Sequence, residues 1–529
     1  MTGMQLDQSA NVASTATISA SVLSQSPTVD STASLAVSRA RAALPAWSAR
    51  SVANRSEIIE RFRALVFEER DAIARTVSDE TGKPLAESLI ADLSMALDGA
   101  RFLTRIAHGA LAPKKMRSDT LAAWRKIITV HHDPFGVIAI VSPWNYPFFF
   151  PAMHSMTALI AGNTVVLKPS ENTPRSADHI AQLLTRAGVP DGVFTVLQGD
   201  GAMGAALVAS PVDKVMFTGS ERTGRQIATV CAPRFVPVSL ELGGSDAAIV
   251  LEDANVDITA SGILWGRFTN AGQTCAAVKR VVAVGTVHDK LVARLIAQVN
   301  SLTVDAPTGP ATRDVGPLIT AAQRTLLMAQ LEDAIAQGAT VAVRRESSGT
   351  SASGADNRDA PLVVLTNVTP SMRVWHDETF GPILVVVRAA SDDDAITLAN
   401  DSRYGLSASV WSQDRKRADR VGARLVAGSI GINDAVITAG LAEVPHGGVR
   451  ASGIGRIHGV EGLLECVRTR TVVDDQLPML RQPWWFGYGA DSASRVDAYL
   501  RLTHGRTILT KLSGIAGTIR MVLFPSRPL

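Results

Sequence analysis

The sequence predicts an α/β protein built as two domains with a cleft between them, and three observations carry the prediction. Short β-branched apolar runs are entered or left through Gly, Pro, Asn or Ser: "GVIAIVSPW" (136–144), "NTVVLKPS" (163–170), "GVFTVLQG" (192–199) and "KVMFTGS" (214–220). Helix-length segments such as "FPAMHSMTALIAG" and "SADHIAQLLTRAG" separate them. After Gly244 a second alternating series begins, with "AAIVL", "VKRVVAVG", "GPILVVVRA" and "GSIGIN" as strands and residues 258–270 and 288–302 as helices. Strands that alternate with helices demand mostly parallel sheets, because a parallel crossover must return over the sheet face and a helix covers it on the way.

In chain order, residues 1–33 are rich in Ser, Thr and Ala, nearly uncharged and free of Phe, Trp and Tyr. They have little to bury against ordering entropy, so a mobile arm is expected there. From 34 to about 110 apolar residues recur at helical spacing, as in Ile58, Ile59, Phe62, Leu65, Val66 and Ile73, which predicts surface helices with one buried face. The two strand and helix series follow, with "RESSGTSASGADNRDA" (345–360) as a polar loop insertion. Last comes an aromatic and basic extension, "LRQPWWFGYG" (480–489) and "RTILTKLSGIAGTIRMVLF" (506–524). In it Ile508, Leu512, Ile515, Ile519 and Val522 fall at helical spacing among Arg506, Lys511 and Arg520.

The bulk numbers exclude several classes. At 529 residues, 46% hydrophobic and 19% charged, the composition is that of a globular protein. A net charge of +3 is small for this length and calls for no nucleic acid. Cys231, Cys275 and Cys466 are far apart and show no CxxC spacing, so neither a zinc site nor a disulfide framework is expected. The first residues lack a basic start and a signal-length apolar core, and no stretch reaches the roughly 18–20 apolar residues of a membrane span. A cytoplasmic protein is the expectation.

One cysteine stands out, at the end of "TNAGQTC" (269–275). A free Cys usually packs as a small hydrophobe. As a nucleophile Cys275 would need oxyanion donors and a base. Asn145 in "SPWNYP" follows an apolar strand and could donate its amide, or serve only as a turn residue beside prolines. Glu241 in "LELGGS" sits between leucines, where burial would raise its pKa towards that of a usable base; a salt-bridged strand-end Glu is the alternative. "FTGSERTG" (217–224) reads as a strand, a Gly turn and a helix start, with Gly219, Ser220 and Gly224 leaving backbone amides free for a pyrophosphate. It lacks a full GxGxxG and carries little weight alone.

Together, "PWNYP", "GNTVVLKPSE", "FTGSERTG", "ELGG", "NAGQTC", "ETFGPI" and "GGVRASGIGR" stand in one order over about residues 35–475, and in this the chain closely resembles the NAD(P)-dependent aldehyde dehydrogenase superfamily. The resemblance implies a Rossmann-type cofactor domain (34–243), an α/β catalytic domain (244–443), a return to the cofactor domain (444–480) and a small β oligomerisation element that includes 122–135. Cys275 would attack the aldehyde carbon, while Asn145 and the Cys275 backbone amide hold the oxyanion. Hydride would pass to the nicotinamide, and Glu241 would activate water against the thioester. Trp144, Lys168, Glu171, Gly219, Ser220, Gly224, Glu378 and Phe380 map to cofactor positions. A carboxylate at 171 accepts from a ribose 2′-OH and repels a 2′-phosphate, which favours NAD; Lys168 and Ser170 leave NADP open. No metal is implied, and a homodimer or homotetramer is.

Two departures from the family's pattern touch the substrate tunnel or structure: Ser245 stands where many members have Lys, and His446 where Phe is frequent. After Asn145, "NYPFFFPAMHSM" places Phe148, Phe149, Phe150, Met153 and His154 where a substrate entrance would begin, as a tunnel wall or as core. The expectation is a medium- or long-chain or aromatic aldehyde, with succinate semialdehyde as the alternative and Arg267, otherwise a surface residue, as its carboxylate partner. A CoA-acylating enzyme is disfavoured, because such members generally lack the Glu. Gly272 and Thr274 would leave room for nicotinamide and aldehyde. The extension 481–529 would lie on a membrane surface, as an amphipathic helix, or dock on the protein itself or a partner subunit.

Overall fold

The protein is described here from a computed structural model, in which residues 27–304, 313–346, 358–477, 482 and 484–523 are described. In the first sheet the strands run in the order Phe194–Val196, Thr164–Lys168, Val137–Val141, Lys214–Thr218, Val238–Glu241, with Gly453–Ile454 antiparallel at the edge. All the other neighbours are parallel. From Val137–Val141 the chain steps outward to one side, then returns to build the other side from Lys214–Thr218. The order therefore reverses between these two strands, and a crevice opens at their carboxyl ends. Asn145 follows one strand and Gly219 the other.

The second sheet has the order Thr340–Arg345, Leu362–Thr366, Ile383–Ala389, Val278–Val284, Asp246–Val250, Ser407–Trp411, Ser429–Ile432, parallel except at the Thr340–Arg345 edge. Its central strands are buried along their whole length, the pattern of a sheet covered on both faces. Lys126–Pro134 lies between Lys114–Arg117 and Val467–Asp475 in a third, antiparallel sheet. Ser407–Trp411, "SASVW", is a strand that the sequence hides, because its small residues show no β-branched run.

The amino-terminal expectation needs correcting. Residues 27–33, placed in the arm, are the start of a helix, Pro27–Ser48. Ala33, Ala36, Val37 and Ala40 bury a narrow stripe against Val137, Ala139 and Val166 of the first sheet. Alanine is a weak hydrophobic signal, yet its small side chain lets helix and sheet approach closely. Residues 1–26, the rest of that arm, lie outside the described residues, as does most of the polar insertion, 347–357.

The extension is three short helices, Ser492–His504, Ile508–Ser513 and Ile515–Leu523, rather than one amphipathic helix over 506–524. They pack on one another rather than on the sheets. The break falls at Gly514, where a Cβ would stand 2.2 Å from the carbonyl oxygen of Ala498 on the facing helix. Among the described residues no helix is long and apolar enough to cross a membrane.

Candidate active site

The crevice at the carboxyl ends of the first sheet widens into a cavity of about 680 Å³ against the segment that precedes strand Val278–Val284. Asn145, Glu241 and Cys275 all line it. So do Trp144, Gly219 and Ser220 from the first sheet's loops, and Glu378 and Phe380 from the loop before strand Ile383–Ala389 of the second sheet. The cavity lining does not include Lys168, Glu171 or Gly224. Lys168 and Glu171 form an ion pair of 2.9 Å, and Gly224 packs on Leu242. Burial works to raise the Glu171 carboxyl, but the Lys168 hydrogen bond, a backbone hydrogen bond and the Lys168 charge together outweigh it and hold the group below its usual range.

Asn145 is held from below by a buried ion pair. Its carbonyl accepts from Lys83 Nζ at 2.8 Å and from Asn270 Nδ2 at 2.9 Å. Lys83 in turn pairs with Asp92 at 2.8 Å, and Asp92 Oδ1 accepts the amides of Phe148 and Phe149. The Asn145 side chain donates to the carbonyl of Gln273 at 2.9 Å, which ties the oxyanion candidate to the cysteine segment. Lys83 and Asp92 are at most 1% exposed, so removing one leaves the other charged and unpaired. Lys83→Met is expected to cost about 3–5 kcal/mol, read as a lower urea midpoint, and Lys83→Met/Asp92→Leu to recover much of it.

The segment "TNAG" is left-handed at three successive residues, Asn270 (φ 52°), Ala271 (φ 54°) and Gly272 (φ 73°). Glu87 anchors it, its carboxylate accepting from the Asn270 amide and from the Thr269 hydroxyl. Burial, against the pull of Lys83, raises the Glu87 carboxyl to about 7. Gly272 is small for a different reason from the one expected. A Cβ there would stand 2.6 Å from the Gly381 backbone, so the need is close chain packing and a positive φ rather than space for a ligand. Thr274 is also committed, its hydroxyl 2.6 Å from the Tyr146 phenol.

Burial pushes the Cys275 thiol up to about 12, with Lys279 pulling it down and Asp246, Glu378 and Glu241 adding to the rise. The thiol is therefore neutral at rest and has to lose its proton to a base. Glu241 is 5% exposed, and its Oε1 has no hydrogen-bond partner. Burial raises its carboxyl well above the ordinary value, Arg456 opposing and Glu465 adding. A buried carboxyl with one oxygen unpartnered, lining the same cavity as a half-buried thiol, is an arrangement suited to moving protons.

The opposite wall comes from "ETFGPI". Glu378 Oε1 accepts the Gly244 amide at 3.1 Å, and Phe380 meets Trp144 edge-on at 5.5 Å. Arg267, expected at the surface or on a substrate carboxylate, is fully buried behind this wall. Its guanidinium donates to the carbonyls of Thr379 and Gly381 and braces the loop. Neither this bracing nor the Lys83–Asp92 strut is visible in the sequence, since charged residues in helical segments ordinarily read as surface.

The donor set suits a dinucleotide. Ser220 caps helix Glu221–Cys231, so a helix amino terminus faces the cavity, and the buried Thr218 hydroxyl beside it is unpartnered. Glu378 stands across the cavity, whose volume falls in the range usual for ligand sites. Among the described residues no group of three or more His, Cys, Asp and Glu could hold a metal ion.

The model of the aldehyde dehydrogenase family matches residues 7–472. The chain is 37% identical over 449 residues, 85% of each chain, to the "Putative succinate-semialdehyde dehydrogenase (NADP+)" of Mycolicibacterium smegmatis. It is 34% identical to the 4,4'-diapolycopene aldehyde oxidase of a Methylomonas species, over 89% of this chain and 86% of that one. Among solved structures, betaine aldehyde dehydrogenase of Staphylococcus aureus in complex with NAD+ superposes with TM-score 0.81 at 30% identity, over 86% of this chain and 89% of that one. The chain belongs to the aldehyde dehydrogenase family, whose members are NAD(P)-dependent oxidoreductases.

Proposed function

We propose that this protein oxidises apolar aldehydes, medium- or long-chain or aromatic, to carboxylates with NAD(P)+. The observation that carries the reading is the convergence of Cys275, Glu241 and Asn145 on one cavity. The Cys275 sulfur bonds to the aldehyde carbon as its proton leaves to Glu241, and Asn145 with the Cys275 amide stabilises the oxyanion. When bound, NAD(P)+ supplies the hydride acceptor. Once Glu241 has released that proton to solvent it takes one from water, whose oxygen attacks the thioester; the C–S bond breaks, the leaving sulfur regains a proton from Glu241, and the products are the carboxylate and the free thiol. Asn145→Ala is expected to lower kcat by about 10²–10³-fold, read by steady-state NAD(P)H absorbance.

Residues 34–243 with 444–480 form the cofactor side of the cleft, and 244–443 the catalytic side. Trp144, Gly219, Ser220, Glu378 and Phe380 hold the cofactor, with Lys168, Glu171 and Gly224 at the end beyond the cavity wall. NAD is preferred, because Glu171 keeps its charge. Glu171→Gln should raise kcat/KM for NADP+ by about tenfold relative to NAD+, the equivalent of ~1.4 kcal/mol. An unchanged ratio would remove Glu171 from cofactor selection.

Support for an apolar substrate comes from the apolar cluster against which Cys275 packs, to which Phe149, Phe150 and Met153 belong, and from Arg267, which donates to the backbone carbonyls of Thr379 and Gly381. The Methylomonas relative is named for an apolar aldehyde. Succinate semialdehyde is the second reading, favoured by the name of the Mycolicibacterium relative. kcat/KM for a panel of alkanals, benzaldehydes and succinate semialdehyde, with and without CoA, ranks them; a preference for succinate semialdehyde would reverse the choice.

The exposed edge strand Val467–Asp475, with Val473 57% exposed, supports subunit pairing to a dimer or tetramer, which analytical ultracentrifugation measures. The extension supports contact with an anionic membrane surface. Trp485, Phe486, Ile508 and Leu509 are exposed there, with Arg506, Lys511 and Arg520 in the same segment. The full chain should float with anionic liposomes and a 1–480 truncation should not; equal behaviour of the two would sink this reading.

A further inference from the structure

The central strand Val278–Val284 is buried along its whole length, yet it carries two cations, Lys279 and Arg280, each 1% exposed. A charge inside a covered sheet destabilises the fold unless its hydrogens are engaged, so each needs partners. Arg280 donates to the carbonyls of Ser245, Leu398, Ala399 and Asp401, which ties the start of strand Asp246–Val250 to the end of helix Asp392–Asn400. It is a brace. Lys279 has the opposite sense, since neighbours in a strand face opposite sides. Its Nζ donates to the carbonyl of Thr274 at 3.0 Å and to that of Cys275, folding back over a turn that the Ala277 amide closes onto Thr274. Both partners are backbone oxygens at the nucleophile, and neither is a carboxylate.

The grip on Thr274 has a consequence for the next residue. The Thr274 carbonyl and the Cys275 amide belong to one peptide plane and point in opposite directions, so fixing the first aims the second. Among the described residues the Cys275 amide meets no backbone acceptor, as an oxyanion donor requires.

The charges that face this pair are Asp246, Glu378, Glu241 and Arg267. Asp246 Oδ1 has no hydrogen-bond partner and comes in at Gly244, where a Cβ would stand 2.5 Å from it and 3.1 Å from the Cys275 carbonyl oxygen. Arg267 donates to the carbonyls of Thr379 and Gly381. Burial disfavours both the Lys279 ammonium and the Cys275 thiolate, and each supports the charged form of the other; Asp246, Glu378 and Glu241 oppose the thiolate. We propose that Lys279 is the positioning residue of the nucleophile: through the Thr274 and Cys275 carbonyls it aims the Cys275 amide at the developing oxyanion, and its positive charge supports the attacking thiolate. The thiol proton still leaves to Glu241, and Lys279 keeps its own. The role in turnover rests on the aldehyde-oxidising reading above, whereas the effect on the thiol is measured without turnover.

The test uses the full chain and two variants. Lys279→Met removes the charge and the donors, while Lys279→Gln removes the charge and keeps a donor for the turn, which covers misfolding of the first. Alkylation of Cys275 by iodoacetamide is followed from about pH 7 to 10, where the rate tracks the thiolate fraction. Both variants should react roughly tenfold more slowly than wild type at each pH, the equivalent of a thiol raised by about one unit. With enzyme in excess, single-turnover NAD(P)H formation should fall by roughly tenfold in Lys279→Gln and further in Lys279→Met, because an oxyanion donor is then misaimed as well. NAD+ affinity by calorimetry should stay within about twofold, since the lysine meets the nucleophile segment rather than the crevice loops. A wild-type alkylation rate in either folded variant, or a wild-type single-turnover rate in both, would overturn the proposal. Loss of NAD+ binding in step with alkylation, or failure of both variants to fold, would make Lys279 a brace like Arg280 and overturn it too. A wild-type chain that oxidises no aldehyde would overturn the activity and leave the alkylation rates to decide the effect of Lys279 on the thiol.

Discussion

Cys275→Ala is expected to abolish aldehyde oxidation, with turnover falling by about four orders of magnitude or more and the thermal shift on NAD+ addition retained. The size of the loss follows from the chemistry, because no other cysteine can substitute. Cys231 and Cys466 are buried elsewhere, and neither lines the cavity. The environment of Cys275 adds a second expectation. With its thiol pushed up to about 12 by burial, it should react slowly with iodoacetamide at neutral pH in the free enzyme. A variant that oxidises aldehydes at the wild-type rate would dismiss Cys275 as the nucleophile.

Glu241→Gln should separate the two halves of the reaction. Acylation still releases about one equivalent of NAD(P)H per subunit in a burst, but steady-state turnover drops by about 10²–10⁴-fold, the usual contribution of a general base. The pH profile reports the same group. Glu241 acts as a base only when ionised, and burial raises its pKa. Wild-type deacylation should therefore fall as the pH drops through a limb above the ordinary carboxylate range. That limb should be absent from the residual activity of Glu241→Gln. Full steady-state activity in the variant would rule the base out.

How far the molecule was legible from its residues depends on where the signal lay. "KVMFTGS" and "VKRVVAVG" read as strands because a buried parallel strand is a continuous apolar run between turn residues, and a local window contains all of that information. Ser407–Trp411 did not, because its place in the sheet comes from its neighbours, Asp246–Val250 and Ser429–Ile432, rather than from its own residues. The first turns of the helix Pro27–Ser48, residues 27–33, were missed for a related reason: a buried alanine such as Ala33 counts for little until a sheet is there to meet it.

The same division runs through the site. Short motifs in order carried the family, the reaction class and the candidates Cys275, Glu241 and Asn145, since each is a few adjacent residues whose chemistry is local. Which charged side chains turn inward was a tertiary decision. Lys83 beneath Asn145, Glu87 beneath Asn270 and Arg267 behind "ETFGPI" are all separated in sequence from the groups they meet. Burial of a charge or an imidazole depends on desolvation and on partners brought from distant segments, and only the folded chain supplies both.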